Sequence, residues 1–294
     1  MNKGTLYAVV AYSLWGFFPI YFKALHAVPA IQIMTHRVVW SFIFLAIFMV
    51  VLKEFKPLKA SITPRVLLIY LVASILVALN WLMYVWGVNA GYVVECSLGY
   101  FINPLVSVLL GMIILGEKLR RLQWIPVGLA FGGVLYLTIS FGSLPWIALA
   151  LALSFGLYGL VKKIAPLPSL QGLTLETGII FLPALAYLLF QESNGVGAFG
   201  HISTATTLLL ALTGIVTAVP LLLFATSAHL VPLSTLGLIQ YIAPTLQFLI
   251  GVLIFRESFT QARVIGFCII WIALIIFSAE SLFVNRKHLR PTLR

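Results

Sequence analysis

The stretch Pro104-Leu-Val-Ser-Val-Leu-Leu-Gly111 overlays Pro244-Thr-Leu-Gln-Phe-Leu-Ile-Gly251 without a gap at a spacing of 140 residues. A glutamate, Glu117 or Glu257, follows each glycine by six positions. The same spacing brings Gly16 onto Gly156, Lys23 onto Lys163, Ile114 onto Ile254 and Ile125 onto Ile265. Chance matches between apolar runs are common, but matched Pro, Gly and Glu at one spacing are less so. The chain therefore reads as a duplicated half, 1–140 followed by 141–294.

Working outward, the halves divide into ten apolar runs near 5–22, 31–52, 66–88, 93–115, 124–140, 144–161, 172–190, 207–228, 233–255 and 264–283. A bilayer core needs about 20 apolar residues per helix, and the backbone must satisfy itself inside lipid. Each run is thus expected to be a membrane-spanning helix, giving an all-α integral membrane protein of two five-helix repeats. Composition agrees. Hydrophobic residues make up 62% of 294 and charged residues only 9%, with mean hydropathy +1.12. So few polar groups could not cover a soluble protein of this size. The net charge of +11 builds no basic face for nucleic acid, because the basic residues sit in short clusters between the runs. Cys96 and Cys268 form no metal or redox motif, and no cofactor or metal is expected. The first run continues apolar and bulky through Trp15–Phe22, so it is expected to be a span and not a signal peptide.

Loop charge sets the expected orientation. Fourteen Lys and Arg residues fall on the side of the termini, from Lys3 through Lys53–Arg65, Lys118–Arg121 and Lys162–Lys163 to Arg286–Arg294. Three (Lys23, Arg256 and Arg263) fall opposite, and Arg37 lies inside a run. Both termini are expected in the cytoplasm of a bacterial inner membrane. Five helices per half is an odd number, so the second half crosses in the opposite sense. Inverted repeats of this kind are used by many secondary transporters.

Trp15-Gly-Phe-Phe-Pro-Ile-Tyr-Phe-Lys23, His36-Arg37, Asn80-Trp81, Ser97-Leu-Gly-Tyr-Phe-Ile-Asn-Pro104 and Gln240-Tyr-Ile-Ala-Pro244 resemble the RarD branch of the EamA group, in the drug/metabolite transporter superfamily. The resemblance spans nearly the whole chain. It implies a ten-helix inner-membrane permease with a central cavity lined mainly by helices 1, 3, 4, 6, 8 and 9 of the count above, and it favours export.

Polar groups inside a membrane helix usually face the bundle interior or a cavity. Asn80 and Tyr84 are four residues apart and share a face, suited to a substrate's polar end or to gluing neighbouring helices. Tyr100 and Asn103 share a face beside Pro104, and Gln240 and Tyr241 repeat the arrangement before Pro244. Both prolines are expected to kink their helices by removing a backbone donor. The two kinks then serve either a binding centre or hinge geometry. Trp15 offers an aromatic wall, or ordinary packing against its counterpart Phe155.

His36, Arg37 and Glu176 are the costly residues. By helical rise His36 and Arg37 lie about 8–9 Å from one mouth and Glu176 about 6 Å from the other, roughly 15 Å apart in depth. They are expected to form two separate sites, for gating, steering or proton coupling, unless they snorkel to headgroups. Glu95 opens its helix, where the macrodipole favours an acid, and Glu117 and Glu257 read as interfacial anchors. No nucleophile elbow, zinc helix or phosphate loop is present, so an enzyme is not expected. The expected function is secondary transport of a small organic solute by alternating access. The expected partners are that solute and the lipid bilayer, a homodimer being compatible with the sequence but not required by it. The alternative is a non-transporting structural or regulatory subunit.

Overall fold

The computed structural model describes residues 2–90, 92–141, 144–256 and 261–288, and every regular element among them is helical. The helices are α1 (Lys3–Gly16), α2 (Phe18–Lys23), α3 (Ala30–Val51), α4 (Phe55–Ser61), α5 (Pro64–Asn89), α6 (Val93–Ile113) and α7 (Trp124–Phe141), followed by α8 (Trp146–Ile164), α9 (Ser169–Ser193), α10 (Thr204–Leu230), α11 (Leu233–Gln240), α12 (Ile242–Leu253) and α13 (Gln261–His288). Their starts carry local signals. The Asn2 side chain accepts from Gly4 N–H at 3.2 Å and the Ser203 hydroxyl from Thr206 N–H at 3.0 Å, each satisfying an orphan donor of the first turn. Proline immediately precedes α3, α8, α9 and α11, where its missing N–H costs nothing.

Among the described residues, eight helical stretches are long and apolar enough to cross a membrane, and two further apolar stretches, Leu98–Ile113 and Val264–Phe277, are shorter. The outer surface fits lipid and not water: Val51 is 70% exposed and Leu182 69%, and such side chains recur around the bundle. The chain is a multi-pass membrane protein.

Two expected runs are interrupted. The first breaks at Phe17 between α1 and α2, and the ninth at Tyr241 between α11 and α12. Pro19 and Pro244 lie just beyond these breaks, and proline removes the bond to the carbonyl four residues earlier. The carbonyl that Pro19 orphans, that of Trp15, accepts instead from the Gln247 side chain at 3.1 Å. By contrast, α6 runs through Pro104 without interruption. Equivalent kinks were expected at Pro104 and Pro244. The break occurs in the second half alone.

Helix α6 packs along α8, as α1 packs along α12, and α7 packs along α13. The close approaches come in matched pairs. A Cβ placed on Gly16 would lie 2.6 Å from Leu246 Cβ, and one on Gly156 would lie 2.6 Å from Val106 Cγ1. Both glycines let a neighbouring helix approach more closely than alanine would. Tyr241 donates its hydroxyl to the Phe101 carbonyl at 3.1 Å, linking two positions 140 residues apart.

Candidate functional site

A cavity of about 240 Å³ lies among α1, α2, α3, α5, α6, α8, α10, α11 and α12. Six of the seven residues expected to bind substrate line it: Trp15, Asn80, Tyr84, Tyr100, Asn103 and Gln240. The seventh, Tyr241, does not. It is 1% exposed and its hydroxyl is committed to the Phe101 carbonyl. A residue adjacent to Gln240 points about 100° away on a helix, so the two cannot serve one face.

The polar groups differ in how far they are already engaged. Asn80 donates its amide to the Leu151 carbonyl and the Ser154 hydroxyl, both at 2.9 Å, which ties α5 to α8. Gln240 accepts from the Tyr12 hydroxyl at 3.5 Å, a long bond. Asn103 is 3% exposed, and its Oδ1 has no partner among the described residues. A buried carbonyl oxygen without a partner costs about 1–3 kcal/mol. Tyr84 and Tyr100 bring their rings within 5.7 Å at 65°.

One wall is aromatic. Trp15 meets Tyr12 at 5.3 Å, Phe224 at 5.7 Å and Phe155, its counterpart at the 140 spacing, at 5.9 Å. The lining also includes Arg37, which helical depth predicts toward a mouth beside His36. The structure puts it in the central cavity instead, so helix 2 of the sequence count joins the lining. Its Nε donates to the Thr217 hydroxyl at 3.0 Å, and its guanidinium lies 4.6 Å from the Trp81 ring, 5.2 Å from Phe22 and 5.7 Å from Phe18. These are cation–π distances. Sequence reasoning also missed Tyr12, Trp81 and Gln247 as lining residues. Trp81 and Gln247 each lie one helical turn from a flagged residue, at Tyr84 and Pro244, which was the available signal.

His36 faces elsewhere. It stacks on Phe199 at 5.4 Å and lines a second cavity with Gln32, Trp40 and Glu192, its Nδ1 without a partner among the described residues. Glu176 is in neither cavity. It pairs with Lys162 at 2.9 Å, both side chains 2% exposed. Lys162, which the length of the apolar run predicts in a loop, is inside α8 near the faces of Tyr70 and Tyr158. Glu117, expected as an interfacial anchor, accepts the backbone N–H groups of Leu233 and Ser234 at 2.6 and 2.8 Å, capping α11 from the other half of the chain. Gly111 leaves room for that carboxylate, since a Cβ there would lie 2.6 Å from Glu117 Oε2. Glu257 and the side chain of Glu95 lie outside the described residues.

Comparison with known proteins places this geometry. The EamA-like transporter family matches twice, over residues 2–139 and 144–279. The chain is similar to the uncharacterized transporter YojE of Bacillus subtilis, 48% identical over 94% of each chain. It is also similar to Protein RarD of Streptomyces exfoliatus, 44% identical over 97% of this chain and 91% of that one. A solved crystal structure covering 93% of this chain and 96% of its own superposes with a TM-score of 0.67 at 18% identity, a likeness of fold. A double family match around a shared cavity, with full-length relatives of the RarD type, makes the chain a RarD-type member of the EamA-like transporter family within the drug/metabolite transporter superfamily.

Proposed function

We propose that the chain is a secondary transporter of ten spans, two inverted five-helix repeats divided near residue 140, that moves a small organic solute across the bacterial inner membrane by alternating access. The observation that carries this is the central cavity, walled by counterpart residues from both halves, Trp15 with Phe155 and Tyr100 with Gln240. The matched contacts Gly16–Leu246 and Gly156–Val106 support a pseudo-twofold relation, because each residue of one half touches the counterpart of the other's partner. The two family matches support the same division. Two similar halves can then rock about a fixed midplane site. The loop charge bias supports cytoplasmic termini, and the family favours export.

The cavity favours a metabolite. About 240 Å³ is below the roughly 300–1,000 Å³ common for drug-sized ligands. Asn80, Tyr84, Tyr100, Asn103 and Gln240 supply polar contacts and Trp15 a wall. Tyr241 supports them by holding α11 to α6. We assign gating or proton coupling, away from the centre, to His36 and Glu176. The test is uptake by the purified protein in liposomes, with and without a pH gradient. Saturable flux lost in Asn103→Ala supports a carrier with its site at α6. No flux of any solute from folded, correctly oriented protein would overturn transport in favour of a structural or regulatory subunit.

A further inference from the structure

Arg37 is the cation in this cavity, and the acids available to neutralise it are few. The chain has seven glutamates and no aspartate. Among the described residues, five are engaged elsewhere: Glu54 with Gln171, Glu117 with the start of α11, Glu176 with Lys162, Glu192 with His201 and Glu280 with Arg120. Among the described residues, what holds Arg37 is one hydroxyl on Nε and aromatic faces. Neither removes its charge. A guanidinium has five N–H donors in a fork that fits a carboxylate in two places at once. A charge at this depth in a membrane helix is retained at a cost and marks a substrate path.

The same cavity holds a second, opposite demand. The Asn103 Oδ1 is buried and lacks a donor among the described residues, while Trp15, Trp81 and Phe155 provide flat apolar walls. Arg37 thus asks for an anion, Asn103 for an N–H or O–H, and the walls for an apolar or aromatic body.

Resting on the transport reading above, we infer that the carried solute is a small organic carboxylate bearing a hydroxyl or amino donor, with Arg37 selecting the anion and Asn103 the donor. The carboxylate bridges guanidinium edges that have no partner among the described residues, the donor meets Asn103 Oδ1, and the ring or chain lies against Trp81 and Trp15. Thr217, which fixes Nε, is a positioning residue.

The test uses four matched probes: mandelate, phenylacetate (no donor), 1-phenyl-1,2-ethanediol (no charge) and 2-phenylethylamine (a cation). Binding is read by tryptophan fluorescence in detergent, and flux by liposome uptake. Mandelate is expected to bind best. Losing the anion or the charge on Arg37 should weaken binding about ten- to a hundredfold, the range of a hydrogen bond to a charged group. Arg37→Gln should abolish the preference for mandelate over the diol, Arg37→Lys should keep part of it, and Asn103→Asp should reject both acids while still binding the diol. Equal binding of acid and diol by the wild type overturns the inference, as does binding of no acid at all. Preference for the amine, switching to the acid in Glu95→Gln, would overturn it by assigning Glu95 as Arg37's partner. Diol uptake without acid uptake keeps transport and sinks the anion. Mandelate binding without flux keeps the site and sinks transport.

Discussion

Laid 140 residues apart, the two halves agree where helices touch and disagree where polar groups sit. Gly16 and Gly156 make the same close approach, to Leu246 and Val106, which are themselves counterparts. Asn103, however, falls on Ala243, Asn80 on Pro220, Arg37 on Thr177 and Tyr100 on Gln240. Helix α6 passes through Pro104 unbroken, whereas its counterpart splits at Tyr241 into α11 and α12. Packing is thus duplicated and chemistry is not. Repeated contacts are what the proposed exchange of roles between two halves requires. A binding site needs no such repetition, because a small solute has no twofold symmetry to match.

The sharpest way to break the comparison is through a feature found in one half only. The Lys162–Glu176 pair is replaced in the first half by Phe22 and His36. Removing one partner leaves a buried charge alone. Glu176→Ala or Lys162→Ala should therefore destabilise by about 3–5 kcal/mol, with Lys162→Met/Glu176→Leu largely restoring stability. Thermal unfolding in detergent reads this, and a loss in the double variant equal to the sum of the two single losses would show that the pair does not act as a unit. The shared contacts come next. Gly16→Ala and Gly156→Ala should each cost about 1–3 kcal/mol by overpacking, with Leu246→Ala rescuing the first and Val106→Ala the second. Rescue in one half but not the other would break the equivalence. Smaller again is Glu117→Ala, about 0.5–2 kcal/mol for a lost helix cap, seen as earlier hydrogen exchange at the start of α11.

The parts of this that the sequence makes legible are those governed by one-dimensional pattern. Run length and hydropathy mark the spans, and Pro104, Gly111 and Glu117 with their counterparts mark the repeat. Helical spacing pairs Asn80 with Tyr84 and Tyr100 with Asn103, and all four reach one cavity. Azimuth between helices is not a one-dimensional property. Depth alone set Arg37 beside a mouth with His36, yet consecutive residues diverge by about 100° and the two face different cavities. The apolar run ends one residue short of Lys162, and a lysine there reads as a loop residue because its partner Glu176 lies on another helix. The cap that Glu117 gives to α11 joins residues 116 positions apart and leaves no local trace.

The smallest expected change in stability is at Asn103, and that smallness separates a binding role from a packing one. Its oxygen is buried and meets no donor among the described residues, so Asn103→Leu removes a desolvated group at similar volume. Such a replacement is near neutral or stabilising when the polar atom had no bond to lose. If Asn103 only packed α6, flux would survive along with the fold. If it holds the solute, unfolding should shift by less than about 1 kcal/mol while saturable uptake is lost. Its counterpart gives the control: Ala243→Asn places the same amide at the matching position of α12, in the same cavity. Restoration of uptake in Asn103→Leu/Ala243→Asn would mean the site is as symmetric as the scaffold. Continued loss would mean that one half carries the chemistry and the other answers it with shape.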